Sequence, residues 1–476
     1  MKMKDSKIMI ISILLLLLFS TSQIARSFID DQSSTSFNDA NTVSRVVILS
    51  LDAFRYDFLE KADLPAFEWL IENGIKADYC VPSNPSLTAV NHVTLITGDH
   101  AGTHGILGNT FYDWTDNKSY SLFAEASDPY RDTNTGLHLL QSKPSVIHAE
   151  ENELETAVFG WPYVDEETYF DGQKPTYVFD YDYLGQNNIR TNNGILGKVL
   201  EVIKAHPEVA LYYAWLPAVD STTHFGGPDS PNLDIHLASL NNTINSFLTN
   251  LELEDLLKDT VVILTSDHGM AYVDDDDYFL EDKPFYLNAV TQTGLDPYIA
   301  VDAAMSYLYF FDETNTTKVE EFADYLRGED GIQAIYVNEQ NALLNLDNDV
   351  RGVNISVWLE PGRSRNFGGS YQGMHGYLNN NTDMHGIFIA AGPGIKQDTT
   401  ITEVNTIDVA PTALSLLGIE TGFTCDGAEL SSIFGTRTSE FSYPVEVTET
   451  HLSFVSFLLI LFIVPIIKKT KRRRKK

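Results

Sequence analysis

Val46–Leu51 (VVILSL), closed by Asp52, is the stretch on which the fold turns. It is an almost unbroken run of β-branched and aliphatic side chains, which is what a strand buried on both faces requires. Runs of the same kind recur at Ala157–Phe159, Ala210–Trp215, Val261–Thr265 and Ile387–Ala390. Helical patterns intervene at Leu64–Asn73, Ile195–Ala205, Leu233–Leu253 and Asp408–Leu417. Buried strands alternating with helices predict an α/β domain, with a mostly parallel central sheet covered by helices on both faces. Sites in such sheets gather beyond the C-terminal ends of the strands. There the chain places Asp52, then Asp220 and His224, then Asp267 and His268.

Both ends differ from this body. Met1–Lys7 is basic, Ile8–Phe19 is apolar, and small and polar residues follow. That is the order of a signal peptide, expected over 1–27, with a polar linker over 28–44. Leu452–Ile467 carries no charge and is followed at once by KKTKRRRKK, which holds eight of the 32 basic residues. Basic residues stay on the cytoplasmic side. The expectation is a C-terminal transmembrane helix over 452–467, a cytoplasmic tail over 468–476, a stalk over 438–451 and a catalytic body over 45–437. That makes a single-pass type I cell-membrane protein with its body outside. The formal charge of -34 therefore understates the acidity of the body. Such a surface does not suit a polymeric nucleic acid partner, whose phosphates need Lys and Arg. Five Asn-x-Ser/Thr triplets, at Asn117, Asn241, Asn315, Asn354 and Asn380, permit a glycoprotein. Cys80 and Cys425 could be joined or separate, and spacing leaves both open.

Carboxylates and imidazoles together suit zinc. Asp220 and His224 are four apart, so one helical turn brings both to one ion. Taken singly, an aspartate after a strand more often caps a helix. Only the joint pattern points to a metal centre.

Seven segments in order carry a resemblance: LSLDAFRYD (49–57), NPSLTAVNHVTLITG (84–98), HGILGNTFYD (104–113), FGWP (159–162), AVDSTTHFGGP (218–228), TSDHGM (265–270) and HGYLN (375–379). Together they resemble the nucleotide pyrophosphatase/phosphodiesterase family of the alkaline phosphatase superfamily, across roughly Val46 to Leu417. The resemblance implies an alkaline phosphatase-like core and two Zn2+ ions. Asp52, Thr88, Asp267 and His268 would hold one ion, and Asp220, His224 and His375 the other. Thr88 would be the nucleophile of a phosphodiesterase or nucleotide pyrophosphatase, forming a phospho-threonine intermediate. Asn109 would donate to a phosphate oxygen, and Tyr177 would stack on a substrate base. His92, His104 and His385 match no ligand of the family and are expected to be structural. The run Asp274–Asp277 reads as a solvated loop, and a helical lid or insert is expected near Tyr272–Pro297.

The chain also departs from the family. Ala89 stands where nucleotide-cleaving members place an aromatic, and Leu87 and Asn84 replace a Lys and a Phe. Ala53 stands where Gly is usual, and little crowding is expected from it. These changes leave the reaction class in place and open the substrate to nucleotides, lipid head groups or polyol diesters. Two other readings stand beside it: a C–P hydrolase like phosphonoacetate hydrolase, and a non-enzymatic surface-binding protein on the same fold.

Overall fold

The computed structural model describes residues 43–122, 131–132, 135–274, 278–279, 283–311, 315–365, 371–419, 422–436 and 441–445. The expected signal segment, nearly all of the linker, the apolar segment Leu452–Ile467, the basic tail and Asp275–Asp277 lie outside these residues. Among the described residues, no helix is long and apolar enough to cross a membrane.

One eight-stranded sheet organises the body. Its strands are β1 (Arg45–Leu51), β2 (Gly74–Val81), β3 (Glu155–Phe159), β4 (Tyr177–Phe179), β5 (Val209–Leu216), β6 (Thr260–Thr265), β7 (Phe388–Ala391) and β8 (Thr399–Asn405). The order across the sheet is β8-β2-β7-β6-β1-β5-β3-β4. Seven strands point one way, and β7 is reversed between β6 and β2. The sheet is therefore mixed, and mostly parallel as the sequence leads one to expect.

The helices named below are α1 (Pro65–Glu72), α2 (Thr88–Thr97), α3 (Asn192–Ala205), α4 (Ala218–Gly226), α5 (Leu233–Leu253) and α6 (Val409–Leu416). Alternate residues of β1 feed two cores. Val46 and Ile48 pack with residues of α2 and α6. Val47, Leu49 and Leu51 pack with residues of α1, α3 and α5. Local chemistry sets several ends. Pro65 opens α1, where its missing N–H costs nothing. Asn241 on α5 accepts from the Ala66 N–H of that first turn at 2.9 Å. Gly98, at φ 76°, closes α2 by donating to the Thr94 carbonyl.

A second, antiparallel sheet joins Tyr298–Asp302, Met305–Tyr309, Ile355–Leu359 and Ile332–Val337. Tyr307, Tyr309 and Trp358 face the body. Leu308, Ile355 and Val357 face the helix Thr316–Leu326. The expected insert near Tyr272–Pro297 is thus only the entry to this unit, through the helix Lys283–Thr293.

The expected stalk needs correcting in its described part. Phe441 and Tyr443 are buried, with their rings against Trp69. The Tyr443 hydroxyl donates to Asn245 at 2.6 Å. Two aromatics in a polar segment suffice to fold it back onto the body. Cys80 and Cys425 are both free, and burial pushes the Cys80 thiol up to about 12. Of the five glycosylation triplets, Asn241 is buried beneath α1, and Asn354 Oδ1 accepts from the Phe310 N–H. Asn117, Asn315 and Asn380 are exposed.

His104 yields a pH prediction. Its Nδ1 accepts from the Ile106 N–H at 3.1 Å, so the proton sits on Nε2, 3.2 Å from Thr94 Oγ1. Burial, aided by His100 and Arg351, pushes this imidazole down to about 3. The unfolded chain binds this proton as pH falls through about 6.5, and the folded chain does not until about 3. Stability present above pH 6.5 is therefore lost across that window. Between pH 7 and pH 5 the wild type is expected to lose about 2 kcal/mol more than His104→Gln. Urea unfolding at both pH values measures this, and equal losses refute it.

Candidate active site

The parallel strands deliver the site residues to one edge of the sheet. Asp52 ends β1, Thr88 opens α2 after β2, Asp220 and His224 lie on α4 after β5, and Asp267 and His268 follow β6. His375 arrives from the chain that leads into reversed β7. Because β7 runs backwards, its start lies beside the end of β6, with Phe388 paired to Thr265.

Two groups of donors result: Asp52, Asp267 and His268, and Asp220, His224 and His375, each with ligand atoms within 4.8 Å of one another. The groups adjoin, because the His268 and His375 rings stack at 3.9 Å between centroids. Thr88 Oγ1 lies 3.2 Å from His268 Nε2 and so belongs with the first group.

The three histidines are held alike. His268 Nδ1 donates to the Gly269 carbonyl at 2.9 Å, His224 Nδ1 to Gly373 at 2.9 Å, and His375 Nδ1 to Ser86 at 3.1 Å. Each Nδ1–H is therefore used, and each Nε2 turns toward carboxylate. His268 Nε2 is 3.2 Å from Asp267 Oδ2, and His224 Nε2 is 3.2 Å from Asp220 Oδ1. A backbone acceptor that fixes the tautomer in this way is the usual support of a metal-binding imidazole. Asp52 Oδ1, Asp220 Oδ1 and Asp267 Oδ2 are buried without a hydrogen-bond partner.

Burial, then repulsion from Asp267 and Asp220, pushes the Asp52 carboxyl well above its usual range. Burial works against ionised Asp220 as well. There the neighbouring His224 outweighs burial and holds the carboxyl low. Burial, with His268 and His224 alongside, keeps His375 neutral. Crowded carboxylates with free lone pairs, facing the Nε2 atoms of oriented imidazoles, suit cations.

Asn109 accepts from the Ala89 N–H at 3.0 Å through Oδ1. This fixes the amide and leaves Nδ2 as a donor beside the start of α2. Tyr177 is the residue the structure does not bring in. It pairs across the sheet with Ala157, which pairs with Tyr212, which pairs with Val47. Val47 lies five residues before Asp52, so Tyr177 sits about 16 Å back along the strands. Its hydroxyl bonds His206 at 2.8 Å instead. Four residues on, the Tyr181 ring lies 5.3 Å from Trp215.

Other residues around the site were not legible as such. Trp215 donates from Nε1 to Asp52 Oδ2 at 2.7 Å. Asn91 accepts from the Ser83 N–H and donates to the Ser83 and Pro85 carbonyls, clamping the loop before Thr88. His92, expected to be structural, donates to the Thr88 carbonyl at 2.8 Å and lies 3.4 Å from Asp267. Ala53 has φ 56°, a left-handed conformation that costs a side chain about 1–2 kcal/mol. The Ala53 N–H donates to Asp267 Oδ1 at 3.1 Å. His385 stacks on Tyr79 at 4.9 Å, away from both groups.

The chain is 29% identical over 376 residues to an uncharacterized pyrophosphatase/phosphodiesterase of Schizosaccharomyces pombe, covering 76% of this chain and 74% of that protein. It is 28% identical over 388 residues to the venom phosphodiesterase of Naja atra, of which it spans 44%. The solved structure of murine ectonucleotide pyrophosphatase/phosphodiesterase 5 superposes with a TM-score of 0.69 at 23% identity, covering 82% of this chain and 100% of that one. An inactive variant of that murine protein, in complex with AMP, superposes with a TM-score of 0.70. The profile of the type I phosphodiesterase / nucleotide pyrophosphatase family matches residues 46–356. With that match over most of the body, and the paired donor groups where its strands end, the chain belongs to the type I phosphodiesterase / nucleotide pyrophosphatase family and is a hydrolase.

Proposed function

We propose that the protein hydrolyses phosphodiester or pyrophosphate bonds of small nucleotide-type substrates, using two zinc ions and a covalent phospho-threonine diester. The observation that carries this is the common orientation of His224, His268 and His375, each with Nδ1–H on a backbone carbonyl and Nε2 turned toward carboxylate. The donor set is oxygen and nitrogen without sulfur, which suits zinc. Asp52, Thr88, Asp267 and His268 would hold one ion, and Asp220, His224 and His375 the other. Bound zinc supplies a Lewis acid that acidifies the Thr88 hydroxyl and neutralises charge on the phosphoryl oxygens.

The chain's own residues do the rest. Thr88 Oγ gives up its proton and attacks phosphorus from the first turn of α2, where the helix terminus favours anionic character; the leaving oxygen departs with its half of the substrate, and water then cleaves the Thr88 ester and restores the hydroxyl. Asn109 Nδ2 donates to a non-bridging oxygen. His92 holds the Thr88 carbonyl, Asn91 holds the loop before it, and Trp215 fixes Asp52. AMP bound to the murine relative supports a nucleotide as the retained group. The same reading places the body outside the cell, led by a signal segment over 1–27 and anchored by Leu452–Ile467, with 468–476 inside.

The test is turnover by the purified chain of an aryl phosphodiester, ATP, a glycerophosphodiester, an aryl phosphomonoester and phosphonoacetate, with metal content measured alongside. Two zinc ions per chain, preference for the diester and ATP, loss with chelator and recovery with zinc are the expected results. Turnover of phosphonoacetate alone would establish the C–P hydrolase. Failure to bind metal or turn over any substrate would leave the binding-protein reading.

A further inference from the structure

A row of contacts crosses the site. At one end Tyr181 lies beside Trp215, which holds Asp52. Thr88, His268 and His375 follow. Next comes His224, 5.0 Å from His375 between ring centroids. At the far end the Tyr371 ring lies 5.0 Å from His224, and Phe225 meets Tyr371 edge-on at 5.2 Å. Phe225 is 62% exposed and Tyr272, beside Gly227, is 46% exposed.

Three segments are fastened together to present these rings. His224 accepts from the Gln372 N–H at 2.8 Å and donates to the Gly373 carbonyl. Residues 373–374 pair with Ala271–Tyr272 as an antiparallel ribbon. Large aromatics held open to solvent at the mouth of a site are costly to a soluble surface and suited to a flat ligand.

Among the described residues, the nearby basic groups are already engaged, Arg363 by Asp330. Arg55, bonded to the Met270 carbonyl, pairs with Asp57 and Asp383, and Lys61 pairs with Asp229. Among the described residues, this end of the site offers rings and carboxylates rather than cations for a polyanion.

We propose that Tyr371 and Phe225 form a leaving-group subsite that selects substrates whose departing half carries a flat ring over those that release bare pyrophosphate. The inference rests on the displacement at Thr88 proposed above. In an in-line attack the leaving oxygen departs opposite the nucleophile. Thr88 lies against His268 of the first group, so the departing half faces Asp220, His224 and the rings beyond.

Diadenosine diphosphate and ATP present the same adenylyl group to Thr88, and they release AMP and pyrophosphate respectively. With the full chain, Phe225→Ala and Tyr371→Ala are each expected to lower the ratio of kcat/KM for diadenosine diphosphate over ATP about tenfold. Tyr371→Phe, which keeps the ring, is expected to retain the ratio. An unchanged ratio in both alanine variants overturns the proposal. Calorimetric affinities of the two ligands for Thr88→Ala, with and without Phe225→Ala, make the same comparison without turnover. If the wild type turns over neither substrate, the proposed function falls, and the calorimetric ratio still decides the subsite.

Discussion

Thr88→Ala is expected to lower diester and ATP turnover by at least about a thousandfold while leaving the unfolding transition in place. The side chain is small, and its Oγ1 contacts His268 Nε2 at 3.2 Å. Its removal takes away the attacking atom and little packing. The loop that carries it is clamped independently by Asn91, whose bonds to Ser83 and Pro85 do not pass through the Thr88 side chain. Thr88→Ser keeps a hydroxyl and is expected to recover part of the rate. Acid quenching during turnover is expected to trap a nucleotidyl adduct on Thr88, read by mass spectrometry. Substantial turnover in Thr88→Ala, without an adduct in the wild type, would mean that water attacks phosphorus directly.

Asp113→Ala is expected to destabilise the fold by about 3–5 kcal/mol, the cost of stranding a buried charge. Asp113 and Arg351 are both buried and meet at 2.8 Å. Arg351 also donates to the Gly105 and Leu139 carbonyls, so one guanidinium ties three segments of the first half of the chain to the second. Asp113 Oδ1 accepts from the N–H groups of Thr115 and Asp116. Losing the carboxylate leaves the guanidinium without its counter-charge and two turn donors without an acceptor. Denaturant unfolding measures the cost. A loss below about 1 kcal/mol, the value of an exposed pair, would show that water reaches the site. The double change Asp113→Ala with Arg351→Met removes both charges and is expected to cost less than the single one.

The sequence revealed the sheet through its buried strands, because a run such as VVILSL has no other economical place in a soluble fold. It also put Asp52, Asp220, His224, Asp267 and His268 beyond strand ends. Thr88, Asn109 and His375 came from the family likeness, since nothing local marks a threonine or an asparagine as chemical. Strand direction was not legible. Ile387–Ala390 reads like the other buried runs, and only its neighbours make β7 antiparallel. The edge strand β8 (TTITEVN) is too polar to stand out, and β2 carries Lys76 and Asp78 among its apolar residues. Tyr177 failed on register. The stretch TYVFDYDY holds four aromatics, and the one near Trp215 is Tyr181, where the chain has left the strand. Trp215 and Asn91 act through hydrogen bonds to partners far away or in an irregular loop, which no periodicity encodes.

Reversed β7 also dictates when the protein can finish folding. In the central sheet β2 is flanked by β7 and β8, both from the last quarter of the chain, and β6 has β7 on its outer side. A chain synthesised at ~5–20 residues per second takes roughly 6–25 s to travel from the end of β6 to the end of β7. During that interval the Val261–Leu264 edge and all of β2 lack their sheet partners, a state prone to pairing with other chains. His375 belongs to the same late segment, so the second donor group closes only as the sheet does. Nascent chains halted before Phe388 should therefore engage chaperones and bind metal weakly, and both should change when the reversed strand slots in.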